Sequence, residues 1–234
     1  MKTVFISSLA LLLCLNTFAQ SNYYKLSAGA GYGFTQSFTD LSNKDFERSA
    51  YGTLDYFFSP FFSLGTEFQR GKIKANPDPA DPDEKMFVNS YKAGSINGKV
   101  FLGALMDYEG NSSPFVNAIK WLYLGGGAGI IRNDLSKITR IKKGTDYEFP
   151  GRNSSYELLV PVNLGINFYF RDQSGNPRFA VNLNVQSNIT LGEGLDGYDD
   201  SSVKLENGSP DMYNFYSLGL KYHFGLLGIS KKTL

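Results

Sequence analysis

The stretch YSLGLKYHF, Tyr216 to Phe224, alternates large apolar side chains with small or polar ones. In an extended strand successive side chains point to opposite faces, so one face collects the apolar residues. That face carries Tyr216, Leu218, Leu220, Tyr222 and Phe224, and the other carries Ser217, Gly219, Lys221 and His223. In water such a face needs a second layer of protein to cover it, whereas in a bilayer it needs none. The surroundings of this strand therefore decide the fold.

Seven other segments repeat the two-residue period. Their sequences are YYKLSAGAGYGF, AYGTLDYFF, FSLGTEFQRG, the less regular stretch Val88 to Leu102, WLYLGGGAGII, YELLVPVNLGINFYF and RFAVNLNVQSNIT. Each has about ten residues, the length with which a tilted strand crosses a bilayer. The total of eight is even, as single-chain bacterial outer-membrane barrels require. Pro161, in the longest segment, lacks a backbone donor and predicts a local irregularity there.

The connections between the segments alternate in length. Ser59-Pro60 and residues 171–177 are short turns and residues 108–120 form a moderate link, whereas the other four connections are long and polar. Short turns on one side and long loops on the other are typical of outer-membrane barrels. The sequence therefore predicts an all-β fold, an eight-stranded antiparallel up-and-down transmembrane β-barrel with both termini on the periplasmic side.

The chain begins with MKTVFISSLALLLCLNTFAQ, which has one cation at Lys2 and a short apolar run. This pattern predicts a secretory signal peptide at residues 1–19, cut after Ala19. A lipoprotein signal cut before Cys14 is the weaker alternative, because Leu13 stands where a small residue is usual. Cleavage after Ala19 removes the single cysteine, so the mature chain can form no disulfide. We expect the barrel to occupy residues 20–224 and a short periplasmic tail to occupy residues 225–234.

The charged residues give the chain no strong overall field. The full chain has 23 Lys+Arg and 22 Asp+Glu, and removing Lys2 with the signal leaves 22 of each. A neutral mature chain argues against nucleic acid as a partner. The chain has 15% aromatic residues and 25 glycines but a mean hydropathy of −0.23, so it is rich in aromatic side chains without being apolar on average. A chain that is not apolar on average can take a membrane role through strands, in which only the lipid-facing side has to be apolar.

The two faces of the segments differ in size as well as polarity. The polar faces carry mainly Gly, Ser, Ala and Asn, whereas the apolar faces carry Phe, Tyr, Leu and Val. Inward positions of a small barrel must fit a narrow lumen, so we expect the small polar faces inside and the large apolar faces toward lipid. A water-soluble barrel with an apolar interior alternates in the same way and is the alternative. Aromatic residues at strand ends, among them Phe57, Phe58, Phe61 and Phe62, are expected in an interfacial girdle.

Several ionisable residues fall on the polar faces and are expected in the lumen. Because isolated charges in a narrow lumen are costly, they are expected to pair into a network that largely plugs the interior. The predicted members are Lys25, Asp55, Glu67, Lys99, Lys221 and His223.

Four stretches carry a resemblance to a known family. They are FFSPFFSLGTEF (Phe57 to Phe68), LYLGGGAG (Leu122 to Gly129), LVPVNLGINFYF (Leu159 to Phe170) and MYNFYSLGLKYHF (Met212 to Phe224). Through them the chain resembles the small eight-stranded outer-membrane β-barrel proteins of Gram-negative bacteria, of the OmpA/OmpX type. The resemblance implies an outer-membrane location, contact with outer-membrane lipid and lipopolysaccharide, and a last strand that the barrel-assembly machinery reads. The residues that match such a signal are Tyr216, Gly219, Leu220, Tyr222 and Phe224. The ten residues after Phe224 depart from the family, in which the aromatic residue usually ends the chain.

The residues offer little for catalysis. Hydrolytic outer-membrane barrels use histidine with serine or with acidic residues, and this chain has one histidine, His223, whose same-face neighbours Lys221 and Gly225 are not nucleophiles. The acidic stretches Asn76 to Glu84 and Glu193 to Asp200 could hold calcium but lack the EF-hand spacing. The basic stretch Arg140 to Gly144 could contact lipopolysaccharide phosphates. Solvated loops are the simpler interpretation of all three stretches, and no cofactor or metal is expected.

The sequence therefore predicts a non-enzymatic outer-membrane barrel with a structural, surface-interaction or narrow-pore role, and with a surface or envelope partner that it does not identify. Two alternatives remain open. One is a soluble secreted β-barrel that binds a small apolar ligand, and the other is an outer-membrane enzyme that modifies lipid.

Overall fold

The computed structural model of the chain describes residues 21–39, 45–77, 85–106, 113–192, 194–198 and 211–230. Eight antiparallel strands form a closed barrel in which each strand pairs with its neighbours in sequence and the last strand returns to the first. The strands are β1 (Ser21–Phe38), β2 (Phe46–Ser59), β3 (Phe62–Ala75), β4 (Phe87–Phe101), β5 (Leu122–Ile138), β6 (Ser154–Arg171), β7 (Pro177–Thr190) and β8 (Met212–Ser230). The predicted eight-stranded up-and-down barrel is confirmed. The predicted signal peptide, residues 1–19, lies outside the described ranges.

The two ends of the barrel differ in their connections. The turn end holds Ser21, Ser230, the tight turns after β2 and β6, and a connection after β4 with a 3₁₀ turn (Leu102–Ala104) and the short helix α1 (Pro114–Ile119). The loop end holds the connections after β1, β3, β5 and β7. The connection after β4, residues 102–121, is longer than three of these, so the predicted contrast between short turns and long loops holds only for the turns after β2 and β6. None of the helices in the described ranges is long and apolar enough to cross a membrane.

Strand β8 continues beyond Phe224, where the predicted tail was to begin. Leu227 lies opposite Tyr24 and Ser230 opposite Ser21, so residues 225–230 are part of the barrel wall. Between Phe224 and Leu227 the register shifts by one residue, and Gly225 has a φ of 86°, as in a β-bulge with a left-handed glycine. Before the bulge the outward side chains of β8 stand at even-numbered residues, and after it they stand at odd-numbered ones. The alternation is therefore broken although the strand continues. The predicted boundary at residue 225 was wrong, and residues 231–234 lie outside the described ranges.

The irregularity predicted at Pro161 occurs between β5 and β6. The pairing of these strands runs from Leu122 to Gly126, is interrupted opposite Pro161, and resumes at Gly129 in the same register. Pro161 has no backbone N–H to give to the ladder, so the interruption follows from its chemistry. On its other side Pro161 lies opposite Asn188 of β7, where pairing is continuous.

Inward glycines leave room for large inward rings. A Cβ on Gly31 would meet the Leu218 carbonyl oxygen, the Gly219 Cα and the ring of Tyr51, and a Cβ on Gly219 would meet the Tyr51 hydroxyl. The Tyr51 side chain therefore lies over a surface that two glycines keep flat. This packing explains why small residues dominate the inward faces without leaving the lumen empty.

Candidate functional site

A buried ion triad occupies the middle of the lumen. The Asp55 carboxylate from β2 accepts a hydrogen bond from Lys99 Nζ of β4 at 2.9 Å and from Lys221 Nζ of β8 at 2.8 Å. All three side chains are at most 5% exposed. The Ser27 hydroxyl of β1 donates at 3.4 Å to Asp55 Oδ2, the carboxylate oxygen that Lys221 also bonds. Four strands are thus tied together around one carboxylate.

Glu67 balances the charge of the triad. Its carboxylate is buried and accepts a hydrogen bond from Gln69 Nε2 at 2.7 Å. Asp55, Glu67, Lys99 and Lys221 are charged residues of the described strands that are buried as whole residues. Two negative and two positive groups leave this central cluster without net charge, which lowers the cost of burying each of them.

Amide side chains fill the space around these charges. Gln69 Nε2 of β3 donates across the lumen to Gln186 Oε1 of β7 at 2.8 Å. Asn182 Nδ2 donates to Asn167 Oδ1 at 2.8 Å and to the Tyr123 hydroxyl at 3.0 Å. These bonds satisfy polar groups that water would otherwise have to reach, so the centre of the barrel is plugged by side chains.

Aromatic layers close the lumen on both sides of this polar centre. The turn-side layer consists of Tyr23, Phe57, Phe61, Phe101, Trp121 and Tyr123. The loop-side layer contains Tyr51, Tyr91, Tyr213 and Phe215 among its rings, and loop residues Phe149, Leu195 and Tyr198 cover it. The Tyr198 hydroxyl donates to the Thr139 carbonyl at 2.7 Å, which fixes the loop over the barrel mouth.

The predicted lumen network assembles only in part. Asp55, Lys99 and Lys221 meet as expected, and Glu67 lies buried beside them. Lys25 stays half-buried near the turn end and makes no hydrogen bond or ion pair with any described residue. His223 is buried against the rings of Phe57 and Tyr169, with centroids 5.3 and 5.2 Å away, and joins no ion pair in the described ranges.

The strand register adds a neighbour of His223 that the sequence analysis missed. Ser27 lies opposite both His223 and Asp55, so serine, histidine and aspartate come side by side. The Ser27 hydroxyl donates to Asp55, and His223 Nε2 is buried without a hydrogen-bond partner in the described part of the chain. The histidine is therefore not placed to take the serine proton, and the three residues do not form a nucleophile with its base.

The outward face of the barrel is an exposed apolar belt. Large apolar side chains are exposed on all eight strands, for example Leu54, Leu64, Leu124, Leu183 and Leu220. Of the predicted assembly-signal residues, Leu220 and Tyr222 are exposed, Tyr216 and Phe224 are half-buried, and Gly219 faces the lumen. Phe58 and Phe62 face outward at the turn end as expected. The expectation that Phe57 and Phe61 lie in the girdle was wrong, because both rings are buried in the turn-side layer.

Solved structures give the comparison with known proteins. The chain is similar to small outer-membrane β-barrels. Neisserial surface protein A matches with 12% identity and a TM-score of 0.48, over 88% of this chain and 99% of that chain. Ail, the attachment invasion locus protein of Yersinia pestis, matches with 14% identity and a TM-score of 0.43, over 86% and 99%. The outer membrane protein OprG from Pseudomonas aeruginosa matches with 10% identity and a TM-score of 0.42, over 87% and 98%.

No protein-family model matches the chain, and no curated protein matches it significantly. The closed eight-stranded barrel is established by the strand pairing itself.

The β6–β7 turn carries a carboxylate outside the strands. The backbone N–H groups of Asn176 and Ser174 each donate to Asp172 Oδ1 at 2.9 Å, and Arg178 approaches the other oxygen at 3.4 Å. The Asn176 bond is the main cause that holds the pKa of Asp172 below its usual value. The group fixes the turn.

A groove of ligand size opens at the loop end. It measures about 650 Å³ and lies between the first residues of β6 and the connection after β7, lined by Tyr156, Glu157, Leu158 and Leu191 among others. Glu157 Oε1 accepts hydrogen bonds from the Gly194 N–H at 2.6 Å and from the Ser155 hydroxyl at 3.2 Å. These bonds tie the loop to β6. No group of three His, Cys, Asp or Glu in the described ranges could hold a metal ion. Residues 78–84 of the first acidic stretch considered for calcium, and residues 193, 199 and 200 of the second, lie outside those ranges.

Proposed function

We propose that the protein is a non-enzymatic outer-membrane barrel with a closed lumen, which acts as a structural or surface-interaction protein. The observation that carries this proposal is the exposed apolar belt on all eight strands. A monomeric soluble protein rarely exposes a continuous apolar surface larger than a few hundred Å². A hydrocarbon layer would cover the belt without any protein partner.

The orientation of the two faces argues against the soluble ligand-binding barrel. Such a barrel would place its large apolar residues inside around the ligand. Here the belt faces out, and the middle of the lumen holds the ion triad and the amide side chains.

The packed lumen favours a non-conducting barrel over a narrow pore. Ions would have to pass the turn-side aromatic layer, the Asp55 triad and the loop-side aromatic layer in turn. The single histidine is enclosed in rings and has no activated nucleophile beside it, which favours a non-enzymatic role over a lipid-modifying enzyme.

Export and assembly belong to the same proposal. Residues 1–19 would direct export, and the last strand, with Tyr216, Gly219, Leu220, Tyr222 and Phe224, would be read by the barrel-assembly machinery. The bulge at Gly225 places this motif six residues before the end of β8, so the machinery would have to accept an internal aromatic residue.

Cell fractionation with gel mobility tests the location. The full chain, expressed in a Gram-negative host, should appear in the outer-membrane fraction, begin at Gln20, and run at a different mobility after boiling than before. Recovery in a soluble extract made without detergent would contradict the membrane location.

A planar-bilayer recording tests the closed lumen. The purified monomer should give no large steady conductance under conditions in which a control porin conducts. A large steady current from the monomer would contradict the closed lumen while leaving the membrane location intact.

A further inference from the structure

The two oxygens of the Asp55 carboxylate have different neighbours. Oδ1 accepts a hydrogen bond from Lys99 Nζ at 2.9 Å. Oδ2 accepts one from Lys221 Nζ at 2.8 Å and a longer one from the Ser27 hydroxyl at 3.4 Å. Two ammonium groups therefore share one carboxylate and approach it at different oxygens, which allows the two lysines to have different chemical roles.

The triad is shielded from water and closely packed. The side chains of Asp55, Lys99 and Lys221 are all buried. Glycines on neighbouring strands make room for them, because a Cβ on Gly65 would meet Asp55 Oδ1 and a Cβ on Gly29 would meet Lys221 Cγ at 2.8 Å. An amine and a carboxyl group that are held in contact without competing water have a high effective concentration for reaction with each other.

A reaction within the triad would remove charge from the lumen. The central cluster holds two carboxylates, Asp55 and Glu67, and two ammonium groups, Lys99 and Lys221. Condensing one of each into an amide would leave one carboxylate and one ammonium group, again without net charge. Replacing a buried ion pair by uncharged groups is often neutral or stabilising. A lysine amine that is desolvated or lies beside another cation is also an activated nucleophile.

From this geometry we infer that the Lys221 amine and the Asp55 carboxylate condense after folding into a side-chain amide, an isopeptide bond, with the ion triad as the reactant. The bond joins β2 to β8 across 166 positions of the chain. Lys221 is the nucleophile, because the Ser27 hydroxyl donates to the same oxygen, Oδ2, and assists its departure. Lys99 donates to Oδ1, where negative charge develops during the attack, and stabilises that charge.

The condensation needs neither an oxidant nor a cofactor. A proton passes from Lys221 Nζ to Asp55 Oδ2, which gives a neutral amine and a carboxylic acid. The amine lone pair attacks Cγ and forms the C–N bond, and the Cγ–Oδ2 bond then breaks. Oδ2 takes a second proton from the nitrogen and leaves as water. The three hydrogens of the ammonium group thus end as one amide hydrogen and two water hydrogens.

The lumen has polar atoms that can hold the released water. Ser63 lies directly opposite Lys99, and His223 lies directly opposite Ser27. Ser63 Oγ and His223 Nε2 are buried and have no hydrogen-bond partner among the described residues. Buried water typically satisfies polar groups of this kind.

Mass spectrometry of the full chain tests the bond. The chain is expressed in a Gram-negative host, purified in detergent, denatured and weighed intact. Wild type should be lighter than its unmodified sequence by the mass of one water molecule. Trypsin should release one branched peptide that joins residues 49–70 to residues 205–231, because trypsin does not cut after a modified Lys221. An unmodified mass, or the absence of this branched peptide, would overturn the inference.

Two variants with unchanged charge test the roles of the lysines. Lys221→Arg replaces the nucleophilic amine with a guanidinium group and should show no branched peptide. Lys99→Arg keeps a cationic donor for Oδ1 and should still form the bond. A wild-type peptide that joins Asp55 to Lys99 would contradict the role given to Lys221.

The wild-type peptide decides the bond itself, whether or not the variants fold, and heat-modifiable mobility shows which of them have folded. The bond does not depend on the membrane location. Wild type that reaches the outer membrane without the bond would overturn this inference and leave the proposed function intact. Wild type that carries the bond in a soluble extract would do the reverse.

Discussion

Adjacent residues of β8 have opposite surroundings. Leu218 and Leu220 on the outward face are 56% and 69% exposed, whereas Ser217 and Lys221 on the inward face are 6% and 3% exposed. A water-soluble barrel would have the reverse arrangement. The outward face is suited to a solvent that forms no hydrogen bonds, whereas polar groups on the inward face, such as the Asp55 carboxylate and the Gln69 amide, form hydrogen bonds within the protein. Substitutions on the two faces should therefore fail for different reasons.

The largest effect is expected at the centre of the inward face. Asp55→Asn would leave Lys99 and Lys221 as buried cations without their carboxylate, which should lower the free energy of unfolding by about 3–5 kcal/mol. Urea unfolding in lipid vesicles measures the change. The triple variant Asp55→Leu/Lys99→Met/Lys221→Met removes all three charges and should recover most of the loss. A loss below about 1 kcal/mol for Asp55→Asn would mean that the triad does not hold the strands together.

The next effect tests the outward face. Leu220 lies at the middle of the apolar positions of β8, and Leu220→Arg should cost about 2–4 kcal/mol if that position lies in the bilayer midplane. The same vesicle unfolding experiment measures it, with Leu220→Ala as the control for lost contact area. In a barrel surrounded by water, arginine at this exposed site would change stability by about 0.5 kcal/mol or less. The arginine variant thus distinguishes lipid from water outside the barrel.

A pair of glycines compares the two faces with one kind of substitution. Gly31 faces the lumen, where a Cβ would meet backbone of β8, whereas Gly52 faces outward and its Cβ would have a nearest neighbour at 3.8 Å. Gly31→Ala should destabilise the barrel by about 1–3 kcal/mol. Gly52→Ala should be neutral or slightly stabilising, because alanine loses less backbone entropy. Equal effects of the two variants would show that the lumen is less tightly packed than these contacts require.

The alternation of side chains allowed the outward face to be predicted, because a period of two assigns each residue of a strand to one of two faces. The same period places Phe58 on the outward face with Leu54 and Tyr56, places Phe62 there with Leu64, and turns Phe57 inward. The girdle expectation was wrong for Phe57 and Phe61 because it grouped the four rings by their closeness to the turn and not by face.

The lumen network shows a second limit of sequence reasoning. Lys25, Asp55 and Lys221 could all be assigned to the polar faces, but their heights depend on the stagger of paired strands around the closed barrel. Lys25 lies near the turn end, away from the triad. The proximity of Ser27 to His223 is likewise a cross-strand relation that same-strand spacing cannot reveal.

The smallest effect is expected at Gly225, the bulge at which the outward side chains of β8 change from even- to odd-numbered residues. Gly225 has a φ of 86°, a conformation that costs a β-branched residue about 1–2 kcal/mol. Gly225→Val should therefore lower the free energy of unfolding by about that amount, and Gly225→Asn should cost less because asparagine tolerates the left-handed region. Deleting residues 231–234 serves as the comparison for a change beyond the described strand. If valine and asparagine were tolerated equally, the bulge would not be needed, and Leu227 and Ile229 would not depend on it to face outward.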